Sequence, residues 1–142
     1  MSSTQPYETT EKKIHILIVD DDPMLRRLFG GRLVGLGYDV IYASDGNEGR
    51  ETARRLKPDL IIMDQRMPVM EGIEASSRMK TEAETKDIPI ILFTNEDLSL
   101  ETEKIIKDLG VDAYIPKSSD FKILAQTIKD LLEKKNKKAT SS

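Results

Sequence analysis

One α/β domain is predicted, a doubly wound parallel sheet of five strands in the order 2-1-3-4-5 with five helices on its two faces. Three observations point to it. Short apolar, β-rich runs recur five times along the chain and alternate with stretches of helical spacing. The first and third runs, Ile14 to Val19 and Leu60 to Met63, carry almost no polar alternation, as expected of strands covered on both faces. Several runs also end in an acid, a hydroxyl or a lysine, at the carboxyl edge where open parallel sheets keep their chemistry.

Taken in order, the run Ile14 to Val19 is the first strand and gives way to Asp20-Asp21-Asp22. Asp22 is placed to cap a helix that begins at Pro23, whose missing N–H costs nothing in a first turn. That helix reaches about Gly35 and offers Leu25, Leu28, Phe29, Leu33 and Leu36 at helical spacing, weakened by Gly30-Gly31 and stopped by Gly37. Tyr38 to Ala43 reads as a strand, Asn47 to Leu56 as a helix ended by Pro58, Leu60 to Met63 as the third strand and Ile73 to about Lys80 as a helix. Pro89 to Thr94 is the fourth strand. Ser99 caps a helix to about Leu109, with Glu101 and Glu103 near its positive end and Gly110 as the stop. Ala113 to Ile115 is a short fifth strand, with Pro116 suited to the outer side of an edge strand. Asp120 caps a last helix carrying Phe121, Leu124, Ile128, Leu131 and Leu132.

Composition narrows the function. The 142 residues include no cysteine and one histidine, His15, which excludes disulfides, thiolate metal sites and multi-histidine metal sites. His15 is read as a satisfied structural histidine on a strand. The net charge of −3, with acids and bases interspersed, does not suggest direct nucleic-acid binding. No apolar run reaches membrane-span length and the first ten residues are polar, so a soluble cytoplasmic protein without membrane insertion is expected. Residues 1–12 and 136–142 are expected to be disordered tails around a domain at 13–135.

The proposed strand order sets strands one and three side by side, so Asp20, Asp21 and Asp64 converge on one small volume. Carboxylates that close repel one another unless a cation lies among them. A hard divalent ion, Mg2+, answers that need, because it takes oxygen ligands and accepts one or two carboxylates. A remaining carboxylate oxygen can attack phosphorus, the Thr94 hydroxyl can donate to one phosphoryl oxygen, and the Lys117 ammonium can pair with another.

With these residues in place the chain resembles a known family, the receiver domain of two-component response regulators, which has a flavodoxin-like fold. The resemblance rests on Asp20-Asp21-Asp22 after an apolar strand and on Asp64-x-x-Met67-Pro68-x-x-x-Gly72. Thr94 ending strand four, Lys117 after strand five and Tyr114 three residues before that lysine complete it. It covers about residues 13 to 134. It implies that Asp64 is the phosphoacceptor, that Asp21 and the backbone carbonyl of Arg66 are Mg2+ ligands, and that Asp20 holds metal-bound water. Thr94 and Tyr114 would be a coupled switch pair. The implied activity is Mg2+-dependent phosphoryl transfer from a histidine kinase or histidine phosphotransfer protein, docking near Met24, Leu25 and Leu28. It also implies a change on the helix 4–strand 5–helix 5 surface that signals to a downstream protein target. Such a domain is a monomer or a phosphorylation-dependent dimer and is not an enzyme beyond turning over its own phosphate. With no further domain after helix 5, a stand-alone receiver in chemotaxis or a phosphorelay is expected.

Two positions depart from the family pattern. Asn95 follows Thr94 where receivers usually carry Ala or Gly, and should crowd the site entrance or bond to the phosphoryl group. Ser118 follows Lys117 where receivers usually carry a proline. Arg66 and Glu96, two residues beyond Asp64 and Thr94, have opposite charge on facing loops and are expected to form a bridge that gates water attack on the acyl phosphate. Two other functions compete. One is an aspartate-nucleophile phosphatase or phosphotransferase of the haloacid dehalogenase type, which usually has a second Asp where this chain has Arg66. The other is a receiver-like interaction module that is never phosphorylated.

Overall fold

The computed structural model describes residues 13–140. Five strands alternate with five helices: β1 (His15–Val19), α1 (Pro23–Gly35), β2 (Asp39–Ala43), α2 (Gly46–Leu56), β3 (Leu60–Met63), α3 (Gly72–Thr81), β4 (Ile90–Thr94), α4 (Leu100–Asp108), β5 (Ala113–Pro116) and α5 (Phe121–Thr140). The strands form one parallel sheet in the order β2-β1-β3-β4-β5, as the alternation predicts. Val19 lies opposite both Ala43 and Met63, and Thr94 opposite Pro116, so the strands finish nearly level.

Side chains alternate across the sheet and build two cores. Leu17, Val19, Ile61, Met63 and Leu92 face α2, α3 and α4, where Ala53, Ala75, Met79 and Ile106 meet them. Ile16, Ile18, Ile62, Ile91 and Phe93 face α1 and α5, which contribute Leu33, Leu124, Ile128 and Leu132. Phe29 of α1 meets Phe93 edge-on at 4.8 Å. Each fully buried aliphatic side chain contributes about 1.5–3 kcal/mol. That is why the near-continuous apolar runs of β1, β3 and β4 sit in the middle of the sheet.

The predicted caps are in place. The Asp22 side chain accepts from the Met24 N–H with Pro23 opening α1, Ser99 accepts from Thr102, and Asp120 accepts from Lys122 at 2.9 Å. Gly37 and Gly110 stop their helices at φ +99° and +98°. In α1 Leu33 is buried while Leu28, one of the residues named for docking, and Leu36 are exposed; Leu36 is already past the last helical residue, at the C-cap. One expectation needs correction. The helix α5 runs on to Thr140, so residues 136–140 continue it rather than forming a tail. Nothing between Phe121 and Thr140 breaks a helix, and the last lysines suit its negative end. The expected N-terminal tail, 1–12, and residues 141–142 lie outside the described residues. Among the described residues no helix is long and apolar enough to cross a membrane.

The two glycines inside α1 differ in their surroundings. A Cβ on Gly30 would strike the Tyr42 ring, whereas one on Gly31 would meet nothing within 4 Å. Gly31→Ala is therefore expected to stabilise the fold by about 0.8–1 kcal/mol through helix propensity alone. A urea midpoint that does not rise would show that this turn is held in a way the helix geometry does not reveal.

Candidate functional site

The carboxyl edge of the sheet holds each site residue by its own backbone. The amide of Asp20 donates to the Ala43 carbonyl at 3.1 Å, that of Asp64 to Val19 at 2.9 Å, and that of Lys117 to Thr94 at 3.0 Å. The ladder thus extends one residue past the strand ends and fixes where the side chains begin. Asp20 and Asp64 are only 5% and 7% exposed, and Thr94 is buried. Asp20, Asp21 and Asp64 each offer a carboxylate oxygen within 4.8 Å of the others. Lys117 reaches across from β5, with Nζ 2.7 Å from Asp20 Oδ2 and 3.4 Å from Asp64 Oδ2. The Thr94 hydroxyl accepts from the Glu96 N–H at 3.2 Å. The sequence-derived constellation is assembled in one place. Its donor set, three hard carboxylates in contact range, fits a small divalent ion such as Mg2+.

The loops above the site are braced by Gln65, Arg26 and Gly72, of which only Gly72 belongs to the motif that follows Asp64. Gln65 donates its N–H to Asp64 Oδ1 at 2.9 Å, and its side-chain oxygen accepts from the Ile73 N–H at 2.7 Å, tying Asp64 to the start of α3. A Cβ on Gly72 would sit 2.1 Å from the Asp64 carbonyl oxygen, so that approach requires glycine. Arg26 donates to the Asp20 carbonyl at 2.6 Å. No composition or spacing signal marks Gln65 or Arg26; only the folded loop brings them in. In the same β3–α3 loop, Val69 adopts φ +67° inside a tight turn closed by Met70 N–H to the Pro68 carbonyl at 2.7 Å. That conformation is strained for a β-branched side chain.

Other predicted residues fall as follows. Arg66 and Glu96 do form a bridge, with Nη2 and Nε 2.6 and 3.0 Å from the same carboxylate oxygen. The Tyr114 hydroxyl donates to the Glu96 carbonyl at 3.0 Å, and its half-buried ring packs on the core. Asn95 is exposed at the loop entrance. Met24 is 73% exposed and Leu28 also faces out, whereas Leu25 is half-buried. The turn after Lys117 is closed by Ser119 N–H to the Pro116 carbonyl at 3.0 Å, and no described peptide bond is cis. His15 opens β1, where its backbone N–H donates to Asp59 at 2.8 Å and its ring lies 3.3 Å from Asp39.

Residues 16–129 match the family model described as the response regulator receiver domain. Among curated proteins, "Protein PilH" of Pseudomonas aeruginosa is 37% identical over 82% of this chain and 96% of its own length. A "probable transcriptional regulator ycf27" of Porphyridium aerugineum is 34% identical over 92% of this chain, which spans about half, 53%, of that protein. The solved structure of a CheY-like response regulator receiver domain protein from Methanospirillum hungatei superposes with a TM-score of 0.83 at 29% identity, covering 89% of this chain and 99% of that one.

Burial pushes the Asp64 carboxyl above its ordinary range. The Lys117 charge pulls it back, the Asp20 charge adds to the rise, and the bonds from Thr94 and Gln65 oppose it. A carboxyl raised in the folded state favours folding while it is protonated. That contribution is complete below the unfolded value and is lost as pH climbs through the folded value. At neutral pH and without divalent ions, Asp64→Asn is expected to raise Tm by a few degrees, with Lys117 still paired to Asp20. The gain should shrink on acidification below the ordinary carboxylate range, where Asp64 is itself neutral. Equal gains at both pH values would refute the burial cost assigned to this carboxylate.

Proposed function

The chain is a member of the response regulator receiver domain family, and from that premise we propose that Asp64 is its phosphoacceptor. The observation that carries the reading is the buried Asp64 carboxylate with Lys117 at 3.4 Å and two further acids in contact range. An oxygen of Asp64 attacks phosphorus on a phosphohistidine, the P–N bond breaks as the O–P bond forms, and the imidazole leaves. Lys117 turns its ammonium from the carboxylates to a phosphoryl oxygen, and Thr94 donates to another; both act on charge that builds up in transfer. Bound Mg2+, held by Asp21, Asp64 and the Arg66 carbonyl with Asp20 behind, would neutralise the remaining charge. The phosphate is gained and lost by the domain's own residues, so the role is signalling rather than turnover of a separate substrate.

The donor in this reading is a histidine kinase or histidine phosphotransfer protein that docks over the exposed Met24 and Leu28, with Leu25 beneath. The Thr94 hydroxyl drawn to the phosphoryl group would release Glu96 and, through it, Tyr114. The α4–β5–α5 surface then shifts population toward a form that binds a downstream protein, by as much as phosphate binding differs between the two forms. A cytoplasmic location belongs to the same reading. The aspartate-nucleophile phosphatase alternative is not favoured by any feature of the site: Arg66 stands where a general acid would, and its guanidinium is engaged by Glu96.

Incubation with acetyl phosphate and Mg2+ followed by intact mass measurement tests the assignment. The expected result is a gain of one phosphoryl group that disappears in Asp64→Ala and forms about a hundredfold more slowly in Lys117→Ala. Retention of the gain in Asp64→Ala would overturn it. The Arg66–Glu96 bridge is exposed and worth little in stability, so its proposed role is steric. Arg66→Ala should shorten the lifetime of the phosphorylated form several-fold without changing Tm. An unchanged or longer lifetime would remove the gate.

A further inference from the structure

The end of the sheet opposite Asp64 carries a second concave site. Between the last turn of α3, the loop leading into β4 and the C-terminal half of α5 lies a cavity of about 440 Å3, within the range of small-molecule sites. One face of α5 forms a wall: Leu131, Lys134, Lys135 and Lys138 all line the cavity and stand at i, i+3, i+4 and i+7, a single helical stripe. The facing wall holds Lys80, Lys86 and Pro89.

The charge of this cavity is not balanced from within. Lys80 is fixed, its side chain only 12% exposed and its ammonium 2.7 Å from the Ile88 carbonyl and 3.1 Å from Asp112. Asp112 is spent on that contact and on the Ile90 N–H at 2.8 Å. Among the described residues the ammonium groups of Lys86 and Lys134 make no ion pair. Five lysines line the cavity with Asp87 and Asp112, in a chain whose net charge is −3; Lys80 is held by Asp112 and Lys135 donates to the Asp59 carbonyl at 3.4 Å, which leaves Lys86 and Lys134 to face the hollow. Gathered ammonium groups repel one another, and an anion between them relieves that cost. Solvation alone relieves lysines spread over a convex face, but these line a hollow.

We infer that this cleft binds a small molecule carrying clustered phosphate groups, of nucleotide size. Lysine ammonium groups bind phosphate as point charges, and Lys86 and Lys134 present theirs from the two walls. Leu131, half-buried on α5, and the lysine methylene stems offer apolar surface for the organic part. An occupant would bridge α5 to the α3–β4 loop, at a site independent of phosphoryl transfer to Asp64.

The test uses the full chain in EDTA, which keeps divalent ions from presenting phosphates to the Asp64 site. Inorganic triphosphate and ATP are titrated separately by calorimetry and by amide chemical shifts. Saturable binding of either probe, with shifts centred on residues 86–88 and 131–138, supports the inference. Lys86→Glu and Lys134→Glu, both exposed and expected to leave the circular dichroism spectrum unchanged, should each weaken it about tenfold. Binding of neither probe overturns it, as does binding indifferent to both charge reversals. Cosedimentation with phosphatidylglycerol vesicles that soluble triphosphate cannot displace would likewise overturn it and make this end a membrane contact.

Discussion

Two buried carboxylates share one ammonium at the carboxyl edge of the sheet, and the surrounding structure is arranged to hold them there. Taking Asp20, Asp64 and Lys117 out of water is unfavourable, and their mutual attraction offsets that only if the geometry is kept. The level strand ends keep it. Each of these residues is anchored through its own amide to a neighbouring strand, so none depends on a free loop for its position. The approach of Gly72 to the Asp64 carbonyl and of Gly46 to the Met70 carbonyl then closes the β3–α3 loop onto the edge, at separations no Cβ would permit.

Above that cluster a single loop residue collects the remaining connections. Glu96 gives its amide to Thr94, its carbonyl to Tyr114 and its carboxylate to Arg66. One residue therefore connects the Thr94 hydroxyl with an aromatic ring on β5 and a guanidinium on the β3–α3 loop. Interactions of this kind are individually small, but those sharing one residue are energetically coupled rather than additive.

Much of this was legible in the sequence, for reasons that can be traced. The uninterrupted apolar runs of β1, β3 and β4 could be satisfied only by burial on both faces, which fixed their central places and the level of Asp20, Asp64 and Thr94. The caps at Asp22, Ser99 and Asp120 are local chemistry and could be read locally. What escaped depends on tertiary contact. Leu28 and Leu36 share the spacing of Leu33, but only the packing of α1 on the sheet decides which of them is covered. Gln65 joins the site because the β3–α3 loop folds back on α3, and its polar side chain announces nothing by itself. The length of α5 was underestimated because a lysine-rich stretch reads as solvated whether or not it is helical.

The outer margin of β5 has a bearing on how the molecule behaves in company. Lys117 turns its N–H inward to Thr94, so the alternation of the strand points the neighbouring Pro116 nitrogen outward, and that nitrogen has no hydrogen to give. The strand is also only four residues long. A second chain seeking to extend the sheet at this border would find too few donors to zip against. The residue that replaces an ordinary strand position here thereby guards a crowded solution against edge-to-edge aggregation.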